Sequence, residues 1–255
     1  MNGFLVTVRR ELVSYCFSPV TWIIAVMFYL LRGLELHTMV LRFAIGRSDP
    51  DRLSEATYGF ISTMLMVLIV PGILTMRCFA EERRSGSIEM LMTAPVRDVE
   101  VVFGKWLAGA LFYSILWLPS VLLLALLQAD PFLATDLSFG PVFAAYFGMF
   151  LLSGFLLAFG CFASSLTDNV LLAAMLSLIF NLTLMAGPKL LALQLGDLQR
   201  NYYVRELLAK IDVTTNFSEW FARGLIDTSQ VAFYIGGIAF FLGLTWISIV
   251  TRRKA

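Results

Sequence analysis

Six long apolar runs limit the folds that are open to this sequence of 255 residues. A helix needs about 20 mostly apolar residues to cross a bilayer, and each run is long enough. Hydrophobic residues make up 59% of the chain and charged residues 15%, against about 45–50% and about 25% in soluble proteins. The surplus of apolar side chains is therefore expected to face lipid. The predicted transmembrane helices are residues 20–41, 57–79, 103–127, 140–163, 170–195 and 231–250.

The distribution of basic residues predicts the orientation of these helices. Arg83 and Arg84 follow the second run directly, and residues 252–254, Arg-Arg-Lys, close the last one. Because basic residues concentrate on the cytoplasmic side, we expect one all-α, polytopic domain over residues 1–255, in the cell inner membrane, with both termini cytoplasmic. The cysteines then fall at cytoplasmic helix ends, which suits reduced thiols; they are Cys16, Cys78 and Cys161.

Three further segments lie between or beside the predicted membrane helices. Residues 1–19 carry the mixed apolar and basic pattern of a helix that lies in the membrane interface. Residues 80–102 form a charged cytoplasmic connector, and residues 196–230 form an outer segment with two short helices. The second outer helix is expected to begin at Asn216, because Glu219 three residues later completes a capping box.

The connector between the second and third helices has a helical pattern of its own. A short helix that begins at Gly86 or Ser87 must end at Pro95, because the residue before a proline avoids the α region. Such a helix places three apolar side chains on one face, and these are Ile88, Leu91 and Met92. An exposed apolar stripe favours a docking element. A solvated loop that only fixes topology, or a helix that lies back on the bilayer, remains an alternative.

Four motifs occur along the chain in a recognisable order. Glu-Glu-Arg-Arg-Ser-Gly-Ser-Ile-Glu-Met-Leu at residues 81–91 precedes Ala-Pro-Val at 94–96 and Gly-Lys at 104–105. The other three motifs are Arg-Glu-Leu at 10–12 with Ser-Pro at 18–19, Ser-Ser-Leu-Thr-Asp-Asn at 164–169, and Phe-Ala-Arg-Gly-Leu-Ile-Asp at 221–227 after Phe217. The set resembles permease subunits of ABC-2 type exporters, and most of all the branch with the gliding-motility permease and the NosY-type copper-maturation permease.

The resemblance implies a fold and a mechanism. In such exporters, which have the ABC-2 or type V exporter fold, the segment that matches residues 87–94 is a coupling helix. It sits in a groove of a separate ATPase subunit and carries the closure of two ATPases into the membrane helices. The residues that the resemblance assigns to this contact are Glu81, Arg84, Gly86, Ser87, Ile88, Glu89, Leu91, Met92, Ala94 and Pro95.

The same resemblance implies the partners. ABC ATPase subunits would bind ATP and Mg²⁺, so no cofactor is expected in this chain, and a second permease subunit would complete a homodimer or heterodimer. The lipid membrane is a partner by composition, and an accessory protein on the outer side is a further candidate. A net charge of +1 gives no indication of nucleic acid. The implied function is export or force transmission driven by ATP hydrolysis.

Four polar residues within the predicted helices are candidate pathway or cavity residues: Arg32, Glu35, His37 and Asn181. Arg32 and Glu35 are three residues apart and can pair with each other on a helix. The first three residues indicate either a helix that extends above the headgroups, which is the interpretation we prefer, or a wet cavity. Asn181 either lines a pathway or hydrogen-bonds across a helix interface.

Other functional classes lack their usual motifs in this sequence. It contains no Gly-x-x-x-x-Gly-Lys-Ser/Thr phosphate-binding loop, and its single histidine excludes a His-x-x-x-His zinc site. We therefore predict neither catalytic nor metal residues in this chain, and no enzyme activity of its own. A secondary transporter or channel, which normally carries several mid-membrane charges, and a non-transporting scaffold that docks a cytoplasmic partner remain alternatives.

Overall fold

The computed structural model describes residues 3–44, 61–86, 97–128, 139–194 and 202–253. Within these ranges the chain is helical, so the all-α prediction is confirmed. The helices are α1 Gly3–Phe17, α2 Pro19–Ala44, α3 Ile61–Thr75, α4 Ala80–Arg84, α5 Asp98–Gln128, α6 Phe139–Leu166, α7 Val170–Gln194, α8 Tyr202–Ile211, α9 Val213–Glu219 and α10 Thr228–Arg253, with a 3-10 turn at Phe221–Arg223.

Among the residues that the structure describes, six helical stretches are long and apolar enough to cross a membrane, as predicted. They are Pro19–Thr38, Thr63–Arg84, Asp98–Leu122, Gly140–Leu166, Val170–Gln194 and Thr228–Thr251. Successive stretches run in opposite directions, so α1, α4 and the first turns of α5 and α7 share one end of the bundle. We call this the α1 end. The predicted coupling helix, residues 87–94, lies outside the described residues.

Helix α6 forms the centre of the bundle. It packs against α3, α5, α7 and α10, and it is the most buried of the six stretches. Helices α2, α7 and α10 are the least buried of the six. They present large apolar side chains that include Trp22, Ile23, Leu171, Ile179 and Phe240. Such surfaces suit lipid or a neighbouring membrane subunit.

Helix α1 packs along the first half of α5. The two backbones approach closely at Gly104, where a Cβ atom would lie 3.0 Å from the Cγ2 atom of Thr7. Thr7 and Val8 are buried by this contact. The chain then breaks at Ser18, and Pro19 begins α2, as expected because proline fits the first turn of a helix. The predicted interfacial helix is therefore attached to the third membrane helix.

Some helix boundaries differ from the sequence-based expectation. Helix α5 begins at Asp98 rather than at 103, because acidic residues in the first turn interact well with the helix dipole. Helix α3 ends at Thr75, and turns connect it to α4 where one helix to residue 79 was expected. Helix α7 continues through Pro188, which is buried. The division of the chain into one domain stays a prediction.

The start of the second outer helix was predicted at the wrong residue. Asp212 caps α9: its Oδ1 accepts a hydrogen bond from the Thr215 amide at 3.1 Å. Burial raises the pKa of this carboxyl, but hydrogen bonds from Thr215 and Thr214 outweigh it and hold the pKa below its usual range. Asn216 lies inside α9 instead, and its amide donates to the Ala209 carbonyl at 2.8 Å. It thus satisfies an end carbonyl of α8.

Close packing between α3 and α6 gives a prediction about a single methyl group. A Cβ atom added at Gly160 would lie 2.8 Å from the Cβ atom of Thr75, so Gly160→Ala must push α3 away from α6. We expect it to lower the free energy of unfolding by about 1–3 kcal/mol. The measurement is unfolding of the detergent-solubilised protein by sodium dodecyl sulfate, followed by far-ultraviolet circular dichroism.

The matched control is Gly243→Ala in α10, where nothing lies within 4 Å of an added Cβ atom. Alanine has the higher helix propensity, so this variant should be neutral or gain up to about 1 kcal/mol. Equal effects of the two substitutions would contradict the packing described between α3 and α6.

Candidate coupling site

Helix α4 forms the first part of the connector and directly precedes the predicted coupling helix, residues 87–94. The backbone amides of Phe79 and Ala80 each donate to the hydroxyl of Ser164 at 3.0 Å. The first amides of a helix have no partner within it, so α6 supplies the cap for α4. The chain leaves α4 at Gly86, whose φ of +70° is the left-handed conformation that glycine adopts readily.

A buried ammonium group links α4 to α5 and α1. Lys105 on α5 is only 3% exposed, and its Nζ donates to Glu82 Oε1 and to the Cys78 carbonyl, each at 2.8 Å. The same Nζ lies 3.2 Å from Glu11 Oε1 on α1. Three acceptors from three elements therefore use the three donors of one lysine. We call Lys105, Glu11, Glu82 and Arg10 the lysine node.

Arg10 completes the charge balance of the lysine node. Its guanidinium donates to Glu11 Oε1 at 2.8 Å and to Glu82 Oε1 at 3.3 Å. Burial raises the pKa of Glu11, but the charge of Lys105 and the hydrogen bond from Arg10 outweigh it, so the pKa lies below its usual range. The node thus holds two cations against two carboxylates, and the lowered pKa keeps Glu11 ionised near neutral pH.

The other side of α4 is bonded to the turn between α6 and α7. Arg83 Nε lies 2.9 Å from Asp168 Oδ1, and the same guanidinium donates to the Ser165 carbonyl. The hydroxyl of Ser248 on α10 donates to that carbonyl as well, at 3.4 Å. Consecutive residues of α4 therefore bond to opposite sides of the bundle, so a displacement of α4 must pull on α1, α5 and α6 together.

Comparison with known proteins identifies the family. A family model described as "ABC-2 family transporter protein" matches residues 33–250. The chain belongs to this family. No curated protein matches the chain. Membership makes this ABC-2 family protein a multi-pass transmembrane component of a transporter, of the permease type.

The predicted contact residues are described only in part. Glu81 is 58% exposed and lies 3.9 Å from Arg77, and Arg84 and Gly86 are also exposed. The remaining predicted contact residues lie outside the described residues: Ser87, Ile88, Glu89, Leu91, Met92, Ala94 and Pro95. Sequence reasoning did not select Glu82 and Arg83 as site residues. The run of four charged residues was the available signal. Neighbours in a helix point in different directions, so a helix that exposes Glu81 and Arg84 turns Glu82 and Arg83 another way.

A second charged cluster joins three membrane helices far from the α1 end. Arg32 and Glu35 on α2 form the predicted ion pair, and they are 6% and 7% exposed. Arg32 also donates to Thr63 Oγ1 on α3 at 2.8 Å and to Ser120 Oγ on α5 at 3.2 Å. Its guanidinium lies 5.0 Å from the ring centroid of Trp117. These two charges are therefore buried between helices, which differs from our preferred interpretation of a solvated helix extension.

The other two candidate polar residues separate from this cluster. His37 is exposed on the surface of α2. Asn181 on α7 is fully buried, and its Nδ2 donates to the Leu68 carbonyl of α3 at 3.0 Å. This contact confirms the interpretation of a hydrogen bond across a helix interface.

The three cysteines do not form one group. Cys16 is exposed, while Cys78 and Cys161 are buried and have their Sγ atoms 3.7 Å apart.

Proposed function

We propose that this ABC-2 family protein is the permease subunit of an exporter or force-transmitting complex, and that separate ABC ATPase subunits drive it. Residues 80–95 receive the ATPase movement, and ATP and Mg²⁺ bind to the ATPase. A second permease subunit, identical or different, completes the membrane part. The protein lies in the inner membrane with the α1 end and both termini in the cytoplasm, and it belongs to the gliding-motility and NosY-like branch.

The lysine node carries this proposal. A connector that only joined two membrane helices would need no buried ion pairs at its base. Here Glu82 bonds to Lys105 of α5, and Arg83 bonds to Asp168 beside α6. A force applied to residues 87–95 reaches α4 first and then passes through these bonds to α1, α5 and α6. This is the mechanical connection that an ATP-driven permease requires.

The exposed residues of α4 are proposed as the ATPase contact. Glu81, Arg84 and Gly86 are exposed beside the lysine node. We assign the contact to them together with Ser87, Ile88, Glu89, Leu91, Met92, Ala94 and Pro95, on the resemblance described above. An accessory protein that docks on the outer segment, residues 196–230, would complete such a complex.

Co-expression and co-purification with candidate ABC ATPase subunits from the same genome test the proposal. We expect a stable complex, and we expect the double variant Arg84→Glu with Glu89→Lys to reduce the recovered ATPase at least about tenfold. A tenfold loss corresponds to about 1.4 kcal/mol of binding free energy. The loss of two interface charges commonly costs more than this, so tenfold is the smallest reduction that we expect. ATP hydrolysis by the complex is measured in parallel.

The matched control exchanges charges on the outer helix α8. Lys210 Nζ lies 3.1 Å from Glu206 Oε1 in an exposed pair, so Lys210→Glu with Glu206→Lys also reverses one cation and one anion. This control should bind the ATPase as the wild type does. Unchanged assembly and hydrolysis in the Arg84 and Glu89 variant would contradict the proposed contact, provided that gel filtration shows both variants to be folded.

A further inference from the structure

A cavity of about 640 Å³ lies at the α1 end, between the interfacial helix and the membrane bundle. Its wall comes from α1, the first turns of α2, the end of α3, the following turn and α4, with Lys105 from α5. Ligand sites in proteins commonly measure about 300–1,000 Å³. The cavity is therefore large enough for a head group and the first part of an acyl chain.

The position of the cavity matches the edge of the membrane-spanning region. One neighbouring span begins at Pro19, and the next one ends at Arg84. Both residues belong to segments that line the cavity or adjoin it. A ligand in this cavity would have one end among the charged groups at the ends of these spans and on α1, and the other end beside apolar side chains further along the spans.

The two halves of the wall differ in chemistry. The polar half contains the lysine node together with Ser14, Ser18 and Ser85. The apolar half is made of Phe17, Val20, Ile24, Ile73, Leu74 and Met76. A wall that combines charged groups with apolar side chains fits an amphiphile rather than a soluble ion.

The lysine node does not need a charged ligand. Its two cations and two carboxylates bond to one another at 2.8–3.3 Å. The remaining pair in the wall is looser: Arg77 Nε and Glu81 Oε2 are 3.9 Å apart, and their side chains are 48% and 58% exposed. Exposed pairs contribute about 0–1 kcal/mol, so a ligand can exchange with this pair at little cost.

We infer that the cavity binds a phospholipid with a zwitterionic head group. Its phosphate pairs with Arg77, its ammonium pairs with Glu81, and one acyl chain follows the apolar wall between α2 and α3. The balance of one exposed cation and one exposed anion favours this head group over an anionic one. The inference shares Glu81 with the proposed ATPase contact, but it depends on the membrane location of the protein and its test measures bound lipid, so either can fail alone.

Native mass spectrometry of the purified full-length protein tests the inference. The protein is equilibrated with 1-palmitoyl-2-oleoyl phosphatidylethanolamine or with the phosphatidylglycerol of the same chains. We expect bound phosphatidylethanolamine to exceed phosphatidylglycerol at least threefold. Arg77→Gln and Glu81→Gln should each lower the bound phosphatidylethanolamine at least threefold. Both side chains are exposed, so these variants should fold.

Arg97→Gln is the matched control, because Arg97 is exposed beside the start of α5 and does not line the cavity. It should retain wild-type binding. Equal binding by Arg77→Gln, Glu81→Gln and Arg97→Gln would overturn the site. Equal or stronger binding of phosphatidylglycerol would overturn the head-group assignment. Glycerophosphoethanolamine, which has no acyl chain, should not displace the lipid. Displacement at equal concentration would show that the cavity binds a soluble zwitterion and would overturn the assignment of an amphiphilic ligand.

Discussion

Replacement of Lys105 by methionine should lower the free energy of unfolding by about 3–5 kcal/mol, the usual cost of removing one partner from a buried ion pair. Methionine preserves most of the volume and the apolar stem, so the cost comes from the charges left behind. Glu11 and Glu82 would face each other with only the half-exposed Arg10 between them. The Cys78 carbonyl would lose its hydrogen bond from the ammonium group as well.

Unfolding by sodium dodecyl sulfate gives the measurement. Lys210→Met is the control at an exposed lysine of the surface pair described above, and its effect should stay below about 1 kcal/mol. The triple variant Lys105→Met, Glu11→Gln, Glu82→Gln should recover most of the lost stability, because no buried charge is left unpaired. A loss in Lys105→Met no larger than that in Lys210→Met would refute the lysine node.

The effect of Lys105→Met should depend on pH. Because the pKa of Glu11 is lowered in the folded protein, its contribution to stability is present above the ordinary glutamate pKa of about 4.3. That contribution disappears as the pH falls through the lowered pKa. In the variant, unpaired carboxylates are costly only while ionised. The difference in stability between the two proteins should therefore be largest near pH 7 and should shrink towards pH 4.

The second large effect is expected at the buried pair of α2. Arg32→Met should cost about 3–5 kcal/mol, because Glu35, which is 7% exposed among apolar helices, would lose its buried partner. The double variant Arg32→Met with Glu35→Met should lie within about 1 kcal/mol of the wild type, because apolar replacements of a whole buried pair are often neutral or stabilising. The double-mutant cycle, measured by the same unfolding assay, gives the interaction energy between Arg32 and Glu35 separately from their contacts with other residues.

Thr63 provides the control for this cycle. Its hydroxyl accepts a hydrogen bond from Arg32 and donates to Glu35, so Thr63→Val removes one neutral group and should cost about 1–3 kcal/mol. A double variant as unstable as Arg32→Met would show that the bonds to Thr63 and Ser120, and not the ion pair, dominate this cluster.

The membrane helices could be predicted from sequence because their signal is local. A run of about 20 apolar residues identifies a span wherever its neighbours lie. The lysine node could not be predicted in this way, because Glu11, Glu82 and Lys105 are far apart in sequence and meet only after three elements have packed. Lys105 attracted attention only as part of a Gly-Lys motif, and Glu11 only as part of Arg-Glu-Leu.

Only part of the cluster around Arg32 could be predicted from sequence, for the same reason. The spacing of Arg32 and Glu35 predicted their pairing, because residues three apart adjoin on a helix. Their burial depends on Thr63 and Ser120, which belong to other helices, so no local pattern could indicate it. At α9 the failure was local: Asp212 lies four residues before Asn216 and is followed by two threonines that donate to it, which makes it the better cap.

The pairing of Arg32 with Glu35 within a single helix bears on the order of biosynthesis. The ribosome makes α2 before α3 and α5, so Thr63 and Ser120 cannot yet reach the first span when that span leaves the exit tunnel. An isolated charge at the centre of a helix costs about 2.5–3.5 kcal/mol on insertion into the bilayer. Because each charge has its counterion one turn away, the nascent span can enter the membrane as a neutral unit and acquire its remaining bonds when later helices arrive.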